Sequence, residues 1–262
     1  MTPRAMLQSS ARRARYQLWG LDALRYRGSV FACPICGGSF AGMKPFIGSC
    51  HLRGVLTDHF TANAECPRCH SGIRQRFLAA FMQQRTDLFT SAKRVLHFAP
   101  EIGLYQRLST AGHDYVAADL DPSRFAAAIA ADITAIPFAA NDFDYVICIH
   151  VLEHVVDDCT AIAELYRVLR PGGQAIIAVP TYGETTFEDT TLDYAGREQQ
   201  YGTGDHLRLN GLDFADKLTS AGFNVDIVAI DDVPGNYVDR TVVSPHTESD
   251  RYLFHCTKRK SS

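Results

Sequence analysis

Four cysteines carry the first piece of chemistry. Cys33-Pro-Ile-Cys36 and Cys66-Pro-Arg-Cys69 are paired Cys-x-x-Cys turns, with residues 37–65 between them. In each pair a tight turn lets both sulfurs face one ion. Two such turns make a tetrahedral thiolate site, the preferred surroundings of structural zinc. Cys33, Cys36, Cys66 and Cys69 are therefore the expected metal ligands. Cys50, His51, His59 and His70 are spare candidates, though a histidine beside such a turn is more often an outer partner than a ligand. Neither pair follows a strand in a thioredoxin-like order, so redox chemistry is not expected. A second group is made of imidazoles, which take up protons near neutral pH. His150 and His154 lie in His150-Val-Leu-Glu153-His154, and His206 lies in Gly204-Asp205-His206-Leu207-Arg208. A third feature is Asp119, a carboxylate that ends an apolar run and so needs a partner.

These residues need elements to hold them. Arg94–Pro122 reads as strand, turn, helix, strand, carboxylate: Val95–Ala99, the turn Pro100-Glu101-Ile102-Gly103, a helical run that stops at Gly112, then Tyr115–Ala118 and Asp119. In a βαβ unit this order places a ligand at the carboxyl end of the first strand, with an acidic residue ending the second to accept from ribose hydroxyls. GxGxxG is absent and only Gly103 is left of it. Downstream, Asp121-Pro122 starts a short alanine-rich helix. Phe143–Ile149 is a near-continuous apolar run, as in a parallel strand covered on both faces. A helix follows, capped by Asp157 or Asp158 and broken at Pro171-Gly172-Gly173. Gln174–Val179 is a strand, residues 180–210 are polar without a clear period, Gly211–Ala221 is a helix, and Asn224–Ile230 and Tyr252–Thr257 are strands. Strands alternating with helices predict an α/β fold with a doubly wound, mostly parallel sheet. From Ile73 to about Gln84 a helical pattern bridges the cysteine unit to this sheet, with Arg74, Arg76 and Arg85 read as its solvated face.

The expected organisation is a basic arm or helix over 1–29, a metal unit over 30–72, a linking helix over 73–92 and the α/β domain over 93–262. At 46% hydrophobic and 21% charged residues the chain is an ordinary globular one, and its net charge of −3 argues against non-specific coating of nucleic acid. No apolar run approaches membrane-spanning length. Four of the eight cysteines are paired and the rest scattered, which fits a reducing, cytoplasmic compartment.

VLHFAPEIG, AADLDP, ADITAIPF, FDYVICIHVLEHV and ELYRVLRPGGQAIIAVP follow one another in the order of the class I S-adenosylmethionine-dependent methyltransferases. The chain resembles that family over residues 93–230, in a bacterial subgroup with an N-terminal zinc ribbon. The resemblance implies a Rossmann-like fold, S-adenosylmethionine as cofactor and structural Zn2+. It implies that Asp119 and Leu120 meet the ribose and that Asp132 and Ile133 flank the adenine. His97, Ala99, Pro100, Glu101 and Gly103 would line the methionine portion, and His150 would face both methyl donor and substrate. Where the family has an acidic residue near 97 and glycines near 99 and 101, this chain has His97, Ala99 and Glu101. Glu101 would either accept from the cofactor's ammonium group or repel its carboxylate.

The expected reaction is methyl transfer to a small-molecule acceptor of natural-product or sugar type. His150, His154 and His206 are candidate bases, and Tyr182, Glu184, Tyr201 and Arg208 in the long connection are candidate substrate contacts. Three readings compete. His150-x-x-Glu153-His154 matches an inverted zinc-protease signature, which needs both histidines on one helix face. A zinc ribbon before this fold also occurs in enzymes resembling ribosomal RNA guanine methyltransferases, where Arg12, Arg13, Arg15, Arg68, Arg74 and Arg76 would contact phosphates. A non-catalytic cofactor-binding or zinc-scaffold protein is the third.

Overall fold

The computed structural model describes residues 23–124, 128–242 and 248–260. Arg4, Arg12, Arg13 and Arg15 of the expected basic arm lie outside them. The described chain begins with β1 (Arg27–Ala32), which pairs with the two-residue β2 (Ser39–Phe40), and continues into a long hairpin, β3 (Lys44–Leu52) and β4 (Val55–Glu65). The linking helix is α1 (Ile73–Arg85).

A seven-stranded sheet follows, in the order β10-β11-β9-β8-β5-β6-β7. Its strands are β5 (Arg94–Phe98), β6 (Asp114–Asp119), β7 (Ala128–Ala130), β8 (Phe143–Ile149), β9 (Leu169–Ala178), β10 (Phe223–Ala229) and β11 (Tyr252–Lys258). β5 through β9 pair in parallel, and β11 runs antiparallel between β9 and β10. The helices are α2 (Ile102–Ser109), α3 (Asp158–Val168), α4 (Tyr194–Tyr201) and α5 (Phe214–Ser220). The expected doubly wound α/β sheet is therefore present.

β8 shows why the sheet is central. Tyr145, Ile147 and Ile149 enter one core and Val146 and Cys148 the other, all of them buried. Alternation sends successive side chains to opposite faces, so a strand covered on both sides must be apolar throughout. On one face Leu96, Val146 and Ile177 meet Ile162 and Leu165 of α3, whose N-terminus is capped by Asp157 accepting from Thr160 N at 2.9 Å. The other face meets Phe77, Leu78, Phe81 and Met82 of α1, and the same core continues into Cys33, Ile35, Phe40 and Cys66. The cysteine unit thus shares its core with the sheet. Burial of each large apolar side chain contributes about 1.5–3 kcal/mol, so α1 locks the two parts together.

Four expectations about elements are corrected. Asp121-Pro122 opens a 3-10 turn (Pro122–Arg124), and Ala128–Ala130 is an edge strand paired with Ala117–Asp119, so the alanine-rich run forms no helix among the described residues. Parallel pairing at the sheet edge overrides alanine's helix preference there. β9 begins at Leu169 and runs through Pro171-Gly172-Gly173, where a β-carbon on Gly173 would lie 2.8 Å from Arg170 O. The polar segment 180–210 contains α4, capped by Asp193 at one end and ended by Gly202 at φ +88°. Its last carbonyls accept from the β3–β4 hairpin tip, Arg53 N to Gln200 O and Gly54 N to Gln199 O, both at 2.9 Å. Those partners are distant in sequence, which is why the helix leaves no clear period. Arg74 and Arg76 of α1 are the fourth case, while Arg85 is exposed as expected. Arg76 is fully buried and donates to Tyr237 O, Ala64 O, Ser71 O and Asn63 O, and Arg74 points into the site described next.

Candidate active site and metal centre

The two cysteine turns have matching backbone geometry. Cys33 O accepts from Gly37 N and Cys66 O from His70 N, both at 2.9 Å; Cys33 N donates to Gly38 O and Cys66 N to Ser71 O. Gly37 and His70 occupy the same step, at φ +68° and +58°. The turns bring Cys33 Sγ within 3.6 Å of Cys69 Sγ and Cys36 Sγ within 3.8 Å of Cys66 Sγ, and one ligand atom from each of the four lies within 4.8 Å of the others. Zn–S bonds of about 2.3 Å in a tetrahedron require sulfurs about 3.8 Å apart, so the cluster fits a zinc ion. Ser71 Oγ lies 3.1 Å from Cys69 Sγ and 3.5 Å from Cys33 Sγ, and the buried Arg76 guanidinium offsets thiolate charge. His70 turns away: its Nδ1 faces Glu65 Oε1 at 2.5 Å. The side chains of Cys50 and His59 lie outside the described residues.

At the carboxyl edge of β5, β6 and β8 lies a cavity of about 770 Å³. Phe98 and Ala99 follow β5, Asp119 and Leu120 end β6, Asp132 and Ile133 come from the loop after β7, and His150 and His154 follow β8; all line it. Asp119 is buried, and its Oδ1 accepts from Asp121 N at 3.0 Å. Asp121 caps its own turn, accepting from Ser123 N and Oγ. Asp132 Oδ1 accepts from Thr134 N at 2.9 Å and Oγ1 at 2.7 Å, which holds its carboxyl below the usual range.

His150 links this cavity to a polar hub centred on Arg74. Its Nε and Nη2 donate to Glu101 Oε1 at 3.2 and 3.1 Å. Its Nη1 lies 3.0 and 3.3 Å from the two ring nitrogens of His150 and 3.3 Å from Asp250 Oδ1. His150 Nε2 is also 3.3 Å from Asp250 Oδ1. Burial first, and then the Arg74 charge, push His150 down to about 4, so its ring is neutral at pH 7. Behind it Glu153 is fully buried, and burial pushes its carboxyl up to about 8. Around Glu153 Oε1 stand His150 Nδ1 at 3.5 Å, His154 Nε2 at 3.9 Å and His206 Nε2 at 4.0 Å. Burial, followed by His154, lowers His206 to about 4.

Residues 102–177 match the family described as "Methyltransferase domain". Over those residues the chain is similar to a methyltransferase domain. A stretch of 58 residues, 21% of the chain, is 45% identical to 24% of the demethylmenaquinone methyltransferase of Renibacterium salmoninarum. A stretch of 112 residues, 42% of the chain, is 32% identical to 35% of the mitochondrial arginine-hydroxylase NDUFAF5 of Danio rerio. The chain thus spans between a quarter and about a third of the length of these curated relatives. Among solved structures, the [4+2]-cyclase SpnF overlays with a TM-score of 0.52 at 13% identity, over 73% of this chain and 83% of that one, a likeness of fold.

The α/β sheet brings some expected residues to its cavity and holds others elsewhere. Ala99, Asp119, Leu120, Asp132, Ile133, His150 and His154 line it. His97 does not: its ring is wholly buried on the sheet face towards Tyr115, whose hydroxyl lies 2.8 Å from Nδ1. Pro100, Glu101 and Gly103 stand outside the lining. Glu101 is engaged by Arg74, so the choice between attracting an ammonium and repelling a carboxylate gives way to an internal ion pair. At Gly103 a β-carbon would sit 3.3 Å from Ile35 Cγ2, so the glycine admits the first cysteine turn. Arg107 of α2 fastens that turn by donating to Ile35 O at 3.1 Å.

Of the expected substrate contacts, Arg208 is buried and structural. It pairs with Glu188 and Asp158 and donates to Leu152 O, Val155 O and Val156 O, pinning the loop after β8. Tyr201 is buried, its hydroxyl accepting from Asp189 N. Glu184 is exposed and lines a separate cavity of about 340 Å³, while Tyr182 is half-buried and donates its backbone N–H to Asn210 O. Arg76 is buried and Arg74 is half-buried and engaged by Glu101 and Asp250, which weakens the RNA reading. The inverted protease signature fails too. His150 has φ +52° and faces the Arg74 guanidinium, and it does not share a helix face with His154.

Sequence reasoning missed Arg74, Glu153, Asp205 and Asp250 as parts of one site. Glu153 was visible only inside the protease-like signature. Asp250 had no signal, because it reaches the hub from the opposite end of the chain.

Proposed function

We propose that the protein transfers a methyl group from S-adenosylmethionine to a small-molecule acceptor of natural-product or sugar type. The observation that carries this reading is that Asp119, Ile133 and His150, far apart in sequence, line one cavity at the carboxyl edge of the parallel strands. Its volume suits a nucleoside-sized ligand. Asp119 would accept from ribose hydroxyls, Leu120 would cover the sugar, and Asp132 and Ile133 would flank the adenine. The Ala99–Pro100 turn, with Ala99 at φ +44°, lies where the methionine portion would run. S-adenosylmethionine supplies an electrophilic methyl on a sulfonium, whose leaving group needs no proton. What remains for the protein is alignment of the acceptor, which can supply most of the acceleration, and removal of a proton where the acceptor carries one.

Arg74 and Asp250 fix the His150 ring at the cavity edge. Both ring nitrogens face charged partners, so His150 orients the acceptor. Proton removal falls to the group around Glu153, His154 and His206. His206 Nδ1 has no hydrogen-bond partner, and Asp205 presents its backbone carbonyl to His154 Nδ1 at 3.1 Å. Zinc in the four-cysteine cluster would be structural, fixing the start of α1 and so the position of Arg74. Thiols that bind metal must stay reduced, which suits the cytoplasm.

The test is transfer of labelled methyl from the cofactor to metabolite and RNA fractions of the host. Label in small molecules that is lost with Asp119→Asn supports the reading. Label confined to RNA overturns the acceptor class, and no transfer to any fraction despite cofactor binding points to a non-catalytic protein.

A further inference from the structure

The group around Glu153 has the donor set of a second metal centre. Glu153, His154 and His206 each offer one ligand atom, and these atoms lie within 4.8 Å of one another. Two metal–ligand bonds of about 2.0–2.2 Å span at most about 4.4 Å. The His154 Nε2 and His206 Nε2 distances to Glu153 Oε1, 3.9 and 4.0 Å, therefore leave room for a cation between donors. They are too long for hydrogen bonds. The two rings meet at 4.8 Å between centroids, edge to face.

The second observation is the state of Glu153 itself. Its side chain is fully buried, and neither carboxylate oxygen has a hydrogen-bond partner. An ionised carboxylate held so costs several kcal/mol. A buried carboxyl without a hydrogen-bond partner, with two imidazole nitrogens 3.9 and 4.0 Å away, is a ready donor set for a cation, whose charge would favour the ionised form. The remaining charges nearby permit one. Arg74 is the facing cation, but its Nε and Nη2 are taken by Glu101 and its Nη1 lies by Asp250. Asp205 stands on the other side, its Oδ2 3.7 Å from His154 Nδ1. His150 faces Asp250 and Arg74 and is neutral, so it adds no repulsion.

We propose that Glu153, His154 and His206 bind a divalent first-row transition cation at the edge of the cavity, separate from the four-cysteine cluster. Two imidazoles and one carboxylate select zinc, manganese, iron or cobalt over magnesium or calcium. Three protein ligands leave a coordination position open, as at catalytic metal sites, and His154 lines the cavity where an acceptor oxygen would be held. With a cation in place the histidines are ligands, and the cation replaces a side-chain base in favouring the acceptor's deprotonated form. The site rests on ligand geometry and stands or falls independently of methyl transfer.

The experiment is a Co2+ titration of the full chain already loaded with zinc at its cysteines. Visible d–d absorption without a sulfur-to-metal charge-transfer band marks a nitrogen and oxygen site, and metal analysis after desalting counts the ions. A second ion per chain is expected in the wild type. Its affinity should fall at least about 10–100-fold, the loss seen even for supporting residues of metal sites, in both Glu153→Gln and His154→Ala. The exposed His154 keeps the test valid should the buried glutamate variant misfold. No cobalt beyond the cysteine site, or binding undiminished in both variants, overturns the proposal.

Discussion

Arg74 Nη2 lies 3.1 Å from Glu101 Oε1, and this pair joins the cysteine unit to the turn that opens the α/β domain. Arg74 sits on the first turn of α1, five residues beyond Cys69, and Glu101 sits at the N-cap of α2. Burial pushes the Glu101 carboxyl up, and the guanidinium acts against that push. The same guanidinium faces His150 and Asp250, so a side chain placed by the cysteine turns orders the cavity edge.

Arg74→Met should leave Glu101 and Asp250 buried without their cation. Breaking one side of a fully buried pair costs about 3–5 kcal/mol, and this half-buried pair should lose less. Urea unfolding should show that loss, and Arg74→Met with Glu101→Gln should recover a large part of it. Equal stability of the single and double variants would show that the pair is not coupled.

Cys66→Ser, or chelation of the wild type, should release one metal ion and lower both thermal stability and cofactor affinity. Cys66 is buried in the core that α1 shares with the sheet, so losing the cluster loosens the helix carrying Arg74. Metal analysis alongside a thermal melt checks this. A chelated protein that binds cofactor unchanged would uncouple the two sites.

Asp119→Asn should weaken S-adenosylmethionine binding more than it lowers turnover of saturated enzyme. Hydrogen bonds to a charged group contribute about 1.5–3 kcal/mol, which corresponds to roughly 10–150-fold in Kd. Asp121→Asn is the control, because that carboxylate caps its own turn and does not line the cavity. Calorimetric titration of both variants decides which aspartate serves the ribose.

His97 makes stability acid-sensitive. Burial lowers its ring from 6.5 to about 3 in the folded chain, so below pH 6.5 the unfolded chain binds a proton that the folded one refuses. Stability linked to His97 is therefore intact above pH 6.5 and lost progressively as pH falls towards 3, at a slope on the order of 1.4 kcal/mol per unit. His97→Leu should flatten the acid limb of stability against pH. An unchanged slope would place the acid sensitivity elsewhere.

Much of this protein was legible in the chain. The apolar runs at Val95–Ala99 and Phe143–Ile149, the paired Cys-x-x-Cys turns and the carboxylate ending at Asp119 depend on local pattern and spacing, and local pattern is what sequence records. Such patterns determined the parallel sheet, the four clustered sulfurs and a carboxylate at the end of β6, while Asp132, Ile133 and His150 were pointed to by the family resemblance. Tertiary structure decided the partners. Arg74 and Arg76 look like a solvated helix face, yet Arg76 is buried and Arg74 half-buried, because the cysteine unit lies against the sheet and shares its core. His97 and Arg208 look available, yet one packs behind the strand and the other pins the loop after β8. Asp250 and His206 reach the site from elements remote in sequence, and no periodicity encodes a meeting of that kind. Which charges are neutralised, and which buried carboxylate is left without a donor, is fixed only when the chain folds back on itself.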